Sequence, residues 1–115
     1  MEKIWTKETY AAYTDKNKPG RYKFDDKSVI VINSYFNSIE YYYLGKLHRE
    51  GGPAIEFISG RNKSWYKHGK LHRLDGPAKE YDPGGKYYFI DGKQYTEEEW
   101  KRISFAILNN LESFL

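Results

Sequence analysis

Two His-Arg pairs, His48-Arg49 and His72-Arg73, are the residues of this chain best suited to chemistry. An imidazole can act as a general base, and a guanidinium can clamp a phosphate at two points. The pairs recur 24 residues apart within a repeated peptide, however, whereas a catalytic site is normally built once. Recurrence favours a scaffold role, with the imidazole bonded to a turn carbonyl and the guanidinium stacked on an aromatic ring or paired with Asp75 or a glutamate. Phosphate or nucleotide recognition is the second reading. A metal site comes third, because two histidines without a defined carboxylate companion make a poor one. Glu50, Glu56, Asp75 and Glu80 offer carboxylates for a glycosidase-type pair, but nothing in the sequence sets their pKa values apart. Glu56 and Glu80 are repeat equivalents expected to face solvent. A Gly-rich phosphate loop, a nucleophile elbow and an HExxH helix are all missing from the sequence. The chain is therefore expected not to be an enzyme, with no catalytic, cofactor-binding or metal residues assigned.

Binding is better represented. Between Arg61 and Arg73 lie Lys63, Lys67 and Lys70 and the pair Trp65-Tyr66, with no acidic residue. Cations interleaved with aromatics suit three surfaces: an ordinary solvated face with Trp65 in the core, a site for an acidic protein, and a platform for single-stranded nucleic acid. Residues 25 to 60 carry five acids against three bases and would interrupt a continuous nucleic-acid groove. Tyr41-Tyr42-Tyr43 and Tyr87-Tyr88 put aromatic groups on both faces of a strand, so one face packs inward and the other stays partly exposed. Exposed Tyr, Trp and Arg dominate protein-binding hot spots. The candidate partner-binding residues are Arg61, Lys63, Trp65, Tyr66, Lys67, Lys70 and Arg73, with Tyr42 and Tyr88.

The elements that hold these residues follow from the repeat. GKLHREGGPA at 45–54 and GKLHRLDGPA at 69–78 agree at eight of ten positions. A looser third copy runs from Tyr88 to Lys93, placing Gln94-Tyr95 where His-Arg would fall, and Val29-Ile30-Val31 is a degenerate earlier one. In each unit an aromatic strand meets a glycine turn, Lys-Leu-His-Arg returns, and Gly-Pro breaks the ladder. This predicts a mainly β (α+β) protein: an antiparallel β-meander of hairpin repeats, in which each unit leans on its neighbours. Residues 38–95 are the repeats, 1–37 an N-terminal cap with a degenerate hairpin, and 96–115 a capping helix. Thr96 to Glu99 forms a capping box, and Trp100, Ile103, Ile107, Leu111 and Phe114 recur at helical spacing over about 97–113. Phe105 falls about 140° from Trp100 at 100° per residue, outside that stripe, which suits a second contact such as a homodimer. A short helix over Thr6 to Thr14 would turn Trp5, Tyr10 and Tyr13 to the sheet, ended by Lys16 to Gly20. A hairpin around Asp25-Asp26-Lys27 follows.

Composition agrees. The 115 residues fit one domain, and a net charge of +3 argues against an acidic DNA mimic and against binding through charge alone. With 21 aromatics against 18 Ile, Leu and Val, rings must supply much of the core. No cysteine is present, so disulfides and thiolate metal sites are excluded. MEKIWTKE lacks the apolar core of a signal peptide and no run suits a membrane span, so a cytoplasmic protein without membrane contact is expected.

The unit Trp65 to Ala78, and more loosely Tyr41 to Ala54, resembles the HRxDGPA repeat of small bacteriophage and giant-virus proteins, itself similar to MORN-like (YwqK-type antitoxin) β-hairpin repeats. The resemblance covers roughly residues 38 to 95. It departs at Gly51, where the motif carries aspartate. The resemblance implies a scaffold without enzymatic activity, acting as a phage accessory protein that binds and inhibits a host protein, such as a component of bacterial immunity, from the host cytoplasm. The partner is expected to present an acidic surface, the protein being monomer or homodimer. Nucleotide or nucleic-acid binding through strand 61–73 is the alternative.

Overall fold

Three two-residue turns set the period of the molecule. Leu44-Gly45, His68-Gly69 and Asp91-Gly92 all hold both residues at positive φ, between 48° and 83°. That is the geometry of a type I′ turn, whose twist matches antiparallel strands and whose second position glycine adopts without a Cβ clash. A computed structural model of the chain describes residues 3–12 and 18–110. Its elements run β1 (Ile4–Trp5), α1 (Lys7–Ala11), β2 (Gly20–Phe24), β3 (Ser28–Asn33), β4 (Ser38–Tyr43), β5 (Lys46–Leu47), β6 (Ile55–Phe57), β7 (Asn62–Ser64), β8 (Tyr66–Lys67), β9 (Lys70–Leu71), β10 (Lys79–Tyr81), β11 (Gly85–Ile90), β12 (Lys93–Tyr95) and α2 (Glu97–Leu108).

The main sheet is ordered β1-β2-β3-β4-β6-β7-β10-β11-β12, with β5 on β4 and β8–β9 as a separate hairpin. Pairing is antiparallel throughout except at one edge, where β1 lies parallel to β2. The protein is thus mainly β with a multi-strand antiparallel meander and a C-terminal helix, as the repeat predicts. Each repeat is one entry strand, one long strand and one short return: β3-β4-β5, then β6-β7/β8-β9, then β10-β11-β12. The outcome is an elongated molecule of 51 × 31 × 21 Å.

Register assigns the two faces. Tyr22, Ile30 and Tyr41 stand opposite one another across β2, β3 and β4, and Ile39, Glu56, Lys63, Glu80 and Lys86 form a parallel row further along. This face is closed at both ends. At the N-terminal end Trp5, Tyr22, Phe24 and Ile32 form a buried cluster against which Tyr10 of α1 packs. At the C-terminal end Trp100 of α2 lies over Tyr88, with ring centroids 4.9 Å apart. Between them the motif alanines Ala54 and Ala78 are fully buried at 0% exposure, so no larger side chain fits there.

Both helices are shorter than their periodicity suggests. Helix α1 is closed at Ala12 and α2 at Asn109, where the C-cap N–H groups turn back onto carbonyls of the last turn. Thr96 and Glu99 form the expected reciprocal cap. Tyr13, Thr14, Lys16, Asn17, Leu111 and Phe114 lie outside the described residues. The third repeat also shifts by one position. The turn between β10 and β11 has three residues where that between β6 and β7 has four, and Gln94 stands opposite Phe89 as Leu71 stands opposite Tyr66. Counted from Gly92-Lys93 as from Gly69-Lys70, the His-Arg positions are Tyr95 and Thr96; Gln94 and Tyr95, expected there, lie one place too early. Among the described residues no helix is long and apolar enough to cross a membrane.

Candidate functional site

The Leu-His-Arg tripeptide of one repeat holds the turn of the next. His48 Nδ1 accepts the N–H of His68 at 2.9 Å, and His72 Nδ1 accepts the N–H of Asp91 at 3.0 Å. The neighbouring glycine N–H groups, of Gly69 and Gly92, donate to the carbonyls of Leu47 and Leu71, each at 2.8 Å. Arg49 and Arg73 then donate their own N–H to the carbonyls of Tyr66 and Phe89, at 3.3 and 3.2 Å. Both left-handed turn residues thus have their donors satisfied by the preceding repeat. The expected imidazole partner was a carbonyl. The observed one is an amide N–H, because an inward-facing type I′ turn presents donors.

The guanidinium groups are fixed from several sides. Arg49 lies 3.9 Å from the ring centroid of Tyr41, and Arg73 lies 3.9 Å from that of Trp65. Each donates at 3.1 Å to a motif proline carbonyl, Pro53 or Pro77. Arg73 also meets Asp75 at 2.9 Å and Glu80 at 3.3 Å, whereas among the described residues Arg49 meets one carboxylate, Glu56, at 3.7 Å. Glu56 and Glu80 are therefore half-buried counter-ions instead of solvent-facing carboxylates. Gly52 and Gly76 serve the same packing: a Cβ on either would sit 2.9 or 2.7 Å from the guanidinium carbon. Neither adopts positive φ; the need for glycine there is steric.

With Nδ1 accepting, each motif histidine carries its proton on Nε2. His48 Nε2 lies 3.2 Å from Glu50, and its ring stacks on His68 with centroids 4.4 Å apart. Burial holds the His72 pKa below its ordinary value, opposed by the Asp91 carboxylate, whose oxygen is 3.3 Å from Nδ1. Among the described residues no three His, Asp or Glu side chains converge as metal ligands.

The structure divides the nine candidate binding residues. Arg61, Lys67 and Lys70 are exposed, and no carboxylate among the described residues pairs with them. Lys63 is half-buried between Glu56 and Glu80 on neighbouring strands. Trp65 and Arg73 are joined in the stack described above, and Tyr66 takes the Arg49 N–H on its carbonyl. Tyr88 is covered by Trp100. Tyr42 lies on the opposite face and donates its hydroxyl to Glu40 at 2.7 Å. Burial and that bond push its pKa up to about 12. Phe105 is exposed beside Leu108, at 58% and 61%.

Two clefts flank the first motif loop. One, of about 400 Å³, lies between the two motif loops over Trp65 and Tyr66. The other, of about 620 Å³, is its counterpart one repeat earlier, with α1 standing in for a motif loop and Tyr10, Phe24, Ile30, Tyr41 and Tyr43 among its lining. Sequence reasoning passed over a third feature. The β3–β4 turn displays Tyr35 and Phe36 at 86% and 58% exposure, beside Ile58 at 53%. The signal was the aromatic pair inside Asn-Ser-Tyr-Phe-Asn-Ser, a stretch whose other residues are turn formers. Set against known protein families, curated proteins and solved structures, the chain matches none.

Proposed function

We propose that this is a non-enzymatic binding protein, a phage-type accessory protein that docks on a host protein of bacterial immunity and inhibits it. The observation that supports binding over catalysis is where the reactive side chains are engaged. His48, His72, Arg49, Arg73, Glu56 and Glu80 all bond within or between repeats. What remains on the surface of the sheet includes exposed Arg61, Lys67, Lys70, Tyr81 and Tyr87. The phage role and the immune target rest on the resemblance of the repeat. The test is affinity capture from bacterial lysate followed by purification of the complex. A single partner at fixed stoichiometry, inhibited without turnover, is expected, and K67E/K70E should slow association while leaving the melting temperature unchanged. A captured partner that is chemically modified would overturn the reading.

The cations Arg61, Lys67 and Lys70, which pair with no carboxylate among the described residues, also favour a second reading, nucleotide or nucleic-acid binding along strand 61–73. It predicts a steep, linear fall of log affinity with log salt for a labelled oligonucleotide. Replacing any one phosphate-binding cation by alanine should make that slope shallower by about one.

A further inference from the structure

We infer that the end of the sheet built by the turns 33–37 and 58–61 is a docking tip for an acidic polypeptide segment carrying an apolar anchor. The inference rests on the protein-binding role proposed above and names the surface and the partner's chemistry.

Three observations support it. First, the apolar groups are displayed and held. Asn33 Oδ1 accepts the N–H groups of Tyr35 and Phe36 at 3.0 and 3.2 Å, and Asn37 closes the turn at φ 50°. The Ile58 N–H donates to the Asn37 carbonyl at 2.7 Å, tying the second turn to the first. Backbone already ordered by these bonds lowers the conformational cost of seating the rings in a partner. Second, the exposed charge around the tip is predominantly positive among the described residues. Register places the start of β2 beside Ile32, and the Asp82 N–H donates to the Arg61 carbonyl, so the four chain segments at this end are contiguous. They carry exposed Lys18, Arg21, Arg61 and Lys86 against one exposed acid, Asp82, with the half-buried Glu80 opposite Lys86. None of the four cations has a carboxylate partner among the described residues, in contrast to Arg49 and Arg73. Third, the rings of Tyr35 and Phe36 meet edge to face, at 86° and 4.9 Å. That arrangement makes a wedge for a pocket or an apolar side chain instead of two coplanar platforms for successive bases. A second copy binding symmetrically through the same tip would bring like charges together.

The experiment is selection from a displayed library of random 12-residue peptides against the full chain. Binding of enriched peptides is then measured on Y35S/F36S and R21E/R61E and mapped by amide chemical shifts. Enriched sequences should combine Asp or Glu with Leu, Ile or an aromatic, and shift Tyr35, Phe36, Ile58 and Arg61. Either double variant should weaken binding about tenfold or more, and both should melt as wild type does because all four side chains are exposed. Enriched peptides without acidic bias, or a shift map centred on the Tyr43 and His48 cleft, would overturn the tip while leaving the binding role standing. Tighter engagement of the tip by an oligothymidine or by phosphatidylserine vesicles than by the peptides would overturn the choice of partner. If no peptide is enriched and a lysate-captured partner binds both variants normally, the tip fails alone. Failure of lysate capture itself would count against the wider role.

Discussion

The two joints between repeats are built from the same backbone bonds and differ in their side chains. In the first, His48 holds the turn at His68, and Arg49 has one distant carboxylate, Glu56 at 3.7 Å. In the second, His72 holds the turn at Asp91, and Arg73 has two nearer ones, Asp75 and Glu80. The second joint is braced further by α2, since Trp100 Nε1 donates to the Arg73 carbonyl at 2.9 Å. A shared motif therefore fixes the path of the chain, while the variable positions around it grade how firmly each joint is held.

The comparison can be tested most forcefully at the arginines. Arg73→Ala removes the guanidinium that Glu80 and Asp75 share and bares Trp65, and should cost about 2–3 kcal/mol. Arg49→Ala should cost about 1–2 kcal/mol, because Glu56 is a weaker partner. Chemical denaturation of the two variants measures this directly, and equal losses would mean the extra carboxylates contribute nothing. Next come the glycines under the guanidinium groups. Gly76→Ala and Gly52→Ala should each lose about 1–3 kcal/mol by displacing an arginine, with Gly76 the more sensitive because its space is tighter. A Gly76→Ala protein as stable as wild type would show that Arg73 can move without penalty.

A smaller effect separates motif from geometry. Gly51 stands where the repeat carries aspartate, and restoring Asp would seem to give Arg49 the partner that Arg73 has. Gly51 sits at φ 79°, however, while Asp75 has no positive φ. Gly51→Asp should therefore leave stability unchanged or lower it by about 1 kcal/mol. A clear rise in melting temperature would show that the first loop can adopt the second loop's path. The smallest effect is in pH. The His72 pKa is depressed in the folded protein, so the unfolded chain binds the proton more readily. Its stabilising contribution is complete above the unfolded value of about 6.5 and is lost as pH falls through the lower folded value. Melts between pH 7.5 and 5, above the range where Asp26 and Glu99 titrate, should show a decline that His72→Gln flattens.

Much of this architecture could be read in the sequence because the period is carried by residues with local conformational meaning. Glycine at each turn, proline after the first two returns and the threonine–glutamate cap of α2 fix backbone geometry wherever they occur. Less could be read where one element substitutes for another. Trp100 lies against Tyr88 as Arg49 lies against Tyr41, an exchange between unlike side chains that no alignment of the repeats suggests. The hydrogen-bond direction of the histidines was missed because it depends on which backbone groups the next turn leaves unpaired. For the binding surface, the basic-aromatic strand was evident by composition, yet Trp65, Arg73 and Tyr88 are engaged internally. Tyr35 and Phe36 were passed over because two aromatics in a turn have no periodicity to mark them.

The stitch from Leu-His-Arg to the following turn has a consequence for how such a chain can change length. Donors and acceptors at the joint belong to complementary sides of the two His-Arg units, so the exit of either suits the entrance of the other or of the third. Duplication of a 24-residue segment such as 45–68 would introduce one new joint of the kind already present twice. It would leave Trp5 and Trp100 capping the ends as before. Stability in such an array grows with nearest-neighbour interfaces, so added units need no redesign of those already in place. The spacing between the two capped ends is in that sense a heritable ruler, adjustable in fixed increments.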